Sequence, residues 1–251
     1  MANNGDGVLR LENVSVRFGG ILAVDQVSMT VRRGDRWAVI GPNGAGKTTL
    51  FRAVSGEVYP TRGRVRLHDV DVTHAPPYRR ARRGLGRTYQ VTNLFPSLSV
   101  EENVLIAAQG CSRTRFRCWW PTRRGGELGD RVGTALDQVD LSHRRGDQVR
   151  ELSHGEQRQV EVALALAGRP SVLLLDEPAA GLSASERVAM RHLVESLPDD
   201  LTVILIEHDM QLALDLVERV VCLDNGSPIA EGTPEEIRAD QRVQAVYLRD
   251  E

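Results

Sequence analysis

The chain has 251 residues, enough for one large α/β domain or two tightly joined lobes. Hydrophobic residues make up 41% and charged residues 26%, and a formal net charge of −2 leaves no overall footprint for nucleic acid. Apolar runs such as Val172 to Leu175 and Val203 to Ile206 fall far short of the roughly 18 residues of a membrane helix, and MANNGDGVLR lacks a charged-then-apolar signal pattern, so any membrane role is expected through a partner.

Residues 9–18 (LRLENVSVRF) and 24–32 (VDQVSMTVR) alternate apolar with polar, the period of half-buried strands. Residues 36–40 (RWAVI) predict a short strand running into a glycine-rich turn, and 47–55 a helix closed by Gly56 with Pro60 beyond it. Residues 63–73 predict another strand pair, which makes the first part a mixed β-lobe around one strand–turn–helix unit. Residues 88 to about 165 read as a mostly helical inserted sub-domain. From 171 the pattern is strand 171–175, helix about 184–197, strand 202–206, helix 210–218 and strand 219–223. That rhythm implies a parallel sheet covered on both faces. Cys111, Cys118 and Cys222 are odd in number and lack C-x-x-C spacing, which fits a reducing cytoplasm rather than a disulfide framework or a zinc site.

Of the 32 basic residues, 31 are arginine and one is Lys47. That lysine lies in GPNGAGKT (41–48), a match to G-x-x-x-x-G-K-[ST] between an apolar strand and a helix. Gly41, Gly44 and Gly46 allow backbone conformations that side chains forbid. Together with Asn43, Ala45 and the following Thr49, they would turn backbone N–H groups towards an anion at a helix N-terminus, with Pro42 as part of the same loop but without an N–H of its own. Lys47 would reach the β- and γ-phosphates, and the Thr48 hydroxyl would ligate Mg²⁺. VLLLDEP (172–178) ends an apolar strand in two carboxylates at the sheet's carboxyl edge. Asp176 can hold Mg²⁺ through water, and Glu177 can take a proton from an attacking water.

Three further landmarks have ordinary readings of their own. His208 follows the strand VILIE, where a histidine is more often structural. Gln90 in RTYQ is weak alone. Ser153 and Glu156 in LSHGE read as a helix N-cap and its capping-box partner, with no ligand required.

In order, these elements resemble the ATP-binding subunit of ABC transporters along essentially the whole chain. The family's aromatic loop, Walker A, Q-loop, signature, Walker B, D-loop and H-loop fall on Phe18, GPNGAGKT, Gln90, LSHGE (152–156), VLLLDE, AAGLS (179–183) and His208. The resemblance implies an α/β fold: a P-loop NTPase core with a parallel sheet and flanking helices, an antiparallel β-lobe and an inserted helical sub-domain. Its single ATP-binding domain would span 8–251, with core and β-lobe in 8–87 and 166–251 and the sub-domain in about 88–165.

It also implies roles. Phe18 would stack on adenine. Gln90 would touch metal and attacking water and relay motion to a permease. Two cassettes, alike or different, would sandwich two ATP molecules, Ser153 and Gly155 contacting the γ-phosphate held by the partner subunit and His208 holding that phosphate and the water. The implied partners are a second cassette, transmembrane permease subunits and, indirectly, a solute-binding protein, with no nucleic acid; the chain would sit in the cytoplasm on the inner face of the membrane. Two motifs depart from the family: LSGGQ is LSHGE, with His154 and Glu156 in place of its first glycine and its glutamine, and the D-loop aspartate is Ser183.

The finer resemblance, carried by RTYQVTNLFPSLSVEENVLIAA (87–108), IEHDM and EGTPEEIRADQRVQAVYL, is to the branched-chain amino acid importer group. The same motor for urea, short amides or lipid is the alternative. A soluble ABC ATPase would usually carry two cassettes or a long coiled coil. A P-loop kinase or GTPase would lack LSHGE and His208. The arginine- and tryptophan-rich segment 113–124 reads either as a solvated arm or as a contact with a permease loop or anionic headgroups.

Overall fold

The computed structural model describes residues 7–89, 94–111 and 126–248. Strands β1 (Gly7–Phe18) and β2 (Ile21–Arg32) form an antiparallel hairpin over the Gly19-Gly20 tip. Asn13 and Gln26, at φ 48° and 51°, lie where the register shifts. Each adds one residue to its strand, which returns Val14, Val24 and Val27 to the buried face. Strand β3 (Arg36–Ile40) leads into helix α1 (Lys47–Ser55), which Gly56 closes in the left-handed conformation by donating its N–H to Arg52 O. Strands β4 (Arg62–Leu67) and β5 (Val70–Asp71) complete a sheet of order β2-β1-β4-β5.

Helix α2 (Pro77–Ala81) and strand β6 (Leu85–Arg87) precede three helices, α3 (Val100–Cys111), α4 (Glu127–Gln138) and α5 (His154–Leu166). Next come β7 (Val172–Asp176), α6 (Ala184–Glu195), β8 (Thr202–Ile206), α7 (Met210–Asp215), β9 (Arg219–Asp224) and β10 (Ser227–Gly232). Helices α8 (Pro234–Ala239) and α9 (Gln241–Tyr247) end the described chain. The second sheet has order β10-β9-β3-β8-β7-β6, and it is parallel except for β10, which runs antiparallel to β9.

The central strands are apolar throughout because both faces are covered. Leu173, Leu175, Val203 and Leu205 face a core shared with α3, α4 and α5. Val172, Leu174, Ile204 and Ile206 face a second core shared with α1 and the β-lobe. Helix α1 is further anchored by Arg80, which is fully buried. Its guanidinium donates to Ala53 O and Val54 O, both at 2.6 Å, and to Ala75 O and Thr73 O at 2.9 and 3.0 Å. Burial pushes its pKa down to about 10. The charge is thus spent on carbonyls at the end of α1 and in the loop between β5 and α2, which fixes the helix that carries the glycine-rich turn.

Candidate functional site

Strands β3, β7 and β8 pair in parallel, so their carboxyl ends lie on one edge and deliver GPNGAGKT, Asp176-Glu177 and Glu207-His208 side by side. The turn after β3 needs its glycines. A Cβ on Gly41 (φ 142°) would meet the Leu223 carbonyl oxygen at 2.2 Å, and one on Gly46 (φ 96°) the Ala23 oxygen at 2.3 Å. Gly46 opens α1 with no side-chain cap and no acidic residue in the first turn, an N-terminus suited to an anion.

Lys47 is 6% exposed and folds back over its own loop, donating to Gly41 O at 2.6 Å and Pro42 O at 2.8 Å. Pro42, Thr48 and Thr49 are partly exposed, Asn43 and Gly44 are exposed, and Ala45 is buried. Gly41 N–H donates to the Tyr247 hydroxyl at 2.9 Å, which joins the C-terminal helix to the turn. Phe18, 48% exposed, stands at the tip of the hairpin whose Ala23 abuts Gly46.

Asp176 is 1% exposed, and its Oδ2 accepts from Arg87 Nη2 at 2.9 Å. Its Oδ1 is buried with no hydrogen-bond partner among the described residues. Glu177 sits in the left-handed region at φ 50° and donates its N–H to Ile206 O at 3.0 Å. A non-glycine residue held there stores about 1–3 kcal/mol, and such strain gathers at functional turns. His208 is exposed at the end of β8. Gln90 and the segment 113–124 lie outside the described residues.

At α5, Ser153 Oγ accepts from Glu156 N–H at 3.2 Å, and Glu156 Oε2 accepts from Ser153 N–H at 2.8 Å. The capping box read from LSHGE therefore forms. Ser183, in the place of the D-loop aspartate, caps α6 in the same way with Glu186. Glu186 also accepts from Gly155 N–H at 2.8 Å and so ties the two helix starts together. Hydrogen bonds from the Ser183 hydroxyl and N–H and from Gly155 pull its pKa down to about 2. His154 lies against the D-loop as well, its Nε2 being 3.4 Å from where a Cβ on Gly181 would stand.

A model described as ABC transporter matches residues 24–180, more than half of the chain. The chain belongs to the ABC transporter ATP-binding family. A second model, the branched-chain amino acid ATP-binding cassette transporter, matches residues 227–248 of this cassette. LivG of Salmonella typhimurium, a high-affinity branched-chain amino acid transport ATP-binding protein, is 37% identical over 96% of this chain and 97% of its own. BraF of Pseudomonas aeruginosa, described in the same words, is 37% identical over the same shares. The lipopolysaccharide export ATP-binding protein LptB of Escherichia coli is 34% identical over 97% of this chain and 98% of its own. Among solved structures, the ADP conformation of the cassette MJ1267 superposes with a TM-score of 0.86 at 31% identity, over 96% of this chain and 98% of that one. The dimeric post-hydrolysis state of the cassette MJ0796, bound to ADP and Pi, gives 0.75 at 26%, over 90% and 98%. The chain is accordingly an ATP hydrolase coupled to transport.

Sequence reading overlooked three polar residues of this cassette: Arg87, Glu186 and Glu207. Glu207 is 3% exposed; its Oε1 accepts from Ala179 N–H at 3.0 Å and its Oε2 from His208 N–H at 3.2 Å. It thus holds the turn after Glu177 to the end of β8. Burial pushes its pKa up to about 7 despite those two donors, with the charges of Glu177 and Asp209 adding to the shift. A raised carboxyl pKa means that the folded state binds the proton more tightly than the unfolded chain. Folding stability is therefore lost as pH rises from the ordinary glutamate range to about 7, and it is level above that. Glu207→Gln removes the proton. Denaturant unfolding of both proteins between pH 5 and 8 should show the mutant gaining on wild type as pH rises, and parallel profiles would refute the assignment.

Proposed function

We propose that this cassette powers an importer of branched-chain amino acids. The observation that carries the reading is the match of residues 227–248 to the branched-chain cassette model, over and above the general family match. The names of LivG and BraF support it. The likeness to LptB favours a second reading, a motor for a lipid exporter. Among the described residues no helix is long and apolar enough to cross a membrane, which fits attachment to the inner face through permease subunits.

In this reading ATP lies over the turn 41–48, with its adenine on Phe18 and its phosphates on the N–H groups that open α1. Lys47 leaves the carbonyls of Gly41 and Pro42 for the β- and γ-phosphates, a swap of neutral acceptors for anionic ones. The site suits Mg²⁺: Asp176 has a buried oxygen with no partner among the described residues, and Thr48 offers a hydroxyl at the first turn of α1. Bound there, the ion would neutralise charge between the β- and γ-phosphates. Glu177 accepts the proton of the attacking water, and His208 and Gln90 position that water and the γ-phosphate. Ser153 and Gly155 serve the partner subunit's nucleotide. Most of the rate then comes from positioning and charge stabilisation.

Reconstitution with its permease and a solute-binding protein tests the substrate. Leucine, isoleucine or valine should stimulate ATP turnover in vesicles; stimulation by urea, short amides or lipid alone would replace the proposal.

Two variants should separate binding from chemistry. Glu177→Gln is expected to bind Mg-ATP, run as a dimer on a sizing column and turn over at least about 100-fold slower, the scale of a lost general base. Lys47→Ala should instead lose nucleotide affinity, since no other lysine can substitute. Wild-type turnover in the first, or wild-type affinity in the second, contradicts these roles.

Ser153→Arg tests action across the dimer. Its own cradle is intact, so it should bind ATP normally, yet a bulky cation now stands where the partner's phosphate docks, and hydrolysis should fail. Loss of the cap alone would cost only about 1 kcal/mol of stability and spare the chemistry. Full turnover in this variant would leave Ser153 as a helix cap only.

A further inference from the structure

Arg87 ends the edge strand β6, three residues before Gln90, and its side chain is 7% exposed. Its guanidinium joins three groups, two around the end of α1 and one at the end of β7. Nη1 donates to Ser55 Oγ at 2.7 Å and to Glu57 Oε1 at 2.5 Å, at the end of α1 and just beyond it. Nη2 donates to Asp176 Oδ2 at 2.9 Å, at the end of β7. One face of the plane lies over the Tyr89 ring, 5.1 Å from its centroid. The parallel pairing of β6 with β7, Arg87 beside Leu174, brings the base of this side chain to the same edge as Asp176.

The arrangement leaves the two oxygens of Asp176 unequal. Oδ2 is bound to a cation that is itself fixed by two other acceptors and an aromatic face. Oδ1 is buried without a partner among the described residues. Without Arg87 the carboxylate would be a nearly inaccessible anion lacking its ion-pair partner and free to turn.

We propose that Arg87 is a positioning residue for the metal carboxylate: it holds Asp176 by Oδ2 so that Oδ1 is the oxygen presented to Mg²⁺. The inference rests on the reading of Asp176 as a metal ligand. A rigid planar fork suits the task, because one guanidinium serves Ser55, Glu57 and Asp176 at once and a lysine ammonium cannot span the three in one plane. Arg87 also connects the far end of the phosphate-loop helix to the segment entering Gln90, so a shift of either is transmitted to the metal oxygen.

The test needs no turnover. Mn²⁺ replaces Mg²⁺, and free Mn²⁺ is followed by electron paramagnetic resonance at saturating non-hydrolysable ATP analogue. Arg87→Gln should weaken Mn²⁺ binding by about tenfold, the scale of losing an outer-shell partner. Arg87→Lys keeps the charge and should recover part of that loss. Nucleotide affinity in the presence of a chelator should stay at the wild-type value in both. Wild-type Mn²⁺ affinity in both variants, while Asp176→Asn loses it, overturns the positioning role. So does an equal loss of metal-free nucleotide affinity, which would mark a general collapse of the site. Should Arg87→Gln fail to fold, Arg87→Lys decides alone, at about threefold weaker Mn²⁺ binding. Undiminished Mn²⁺ binding in Asp176→Asn would instead overturn the metal reading of Asp176 itself.

Discussion

Parallel pairing of β3, β8 and β7 is the constraint on which the site depends. In a parallel sheet every strand ends on the same edge, so the turn 41–48, Asp176-Glu177 and Glu207-His208 meet although they are widely separated in sequence. Register sharpens this. Asp176 lies opposite Ile206 in the ladder, which sets the two acidic turns one residue beyond the same rung. The strands can end in polar groups because their interiors, VLLL and VILI, bury both faces and hold the sheet without help from that edge.

Charge is handled at this edge by pairing buried groups with donors rather than by leaving them wet. Asp176 has Arg87, and Arg87 has Glu57 as a second anion. Glu207 accepts from two backbone N–H groups, and burial raises its proton affinity in spite of them. Glu186, exposed to water and served by the Ser183 hydroxyl and two backbone amides, goes the other way. Glu207 and Glu186 thus shift in opposite directions, chiefly through burial in the one and hydrogen-bond donors in the other.

Much of this was legible in the sequence where the pattern was periodic or the motif long. RWAVI, the helix at 47–55 and the strand at 202–206 form as read, and the capping box at Ser153 forms with the partner its spacing names. The helix read over 210–218 stops at Asp215, where the chain turns into β9. Strand β6 is too short for periodicity, and β10, SPIAEG, begins with a proline one residue in and ends in glycine, so neither carries an alternating signal. Helix α8 did carry one: Thr233 and Glu236 form a capping box with Pro234 at the first helical position. Arg87 and Glu207 were invisible for a different reason. In a chain with 31 arginines one more basic residue has no contrast, and a glutamate before His208 reads as a solvated strand end until the fold buries it.

The scarcity of lysine has a consequence for handling the molecule. A protease that cuts only after lysine has a single target in this chain, which would divide it into residues 1–47 and 48–251. That bond lies inside the glycine-rich turn 41–48, beside a side chain 6% exposed and bound to the carbonyls of Gly41 and Pro42. Cleavage under native conditions therefore requires the turn to open, and the rate of one cut reports how often it does.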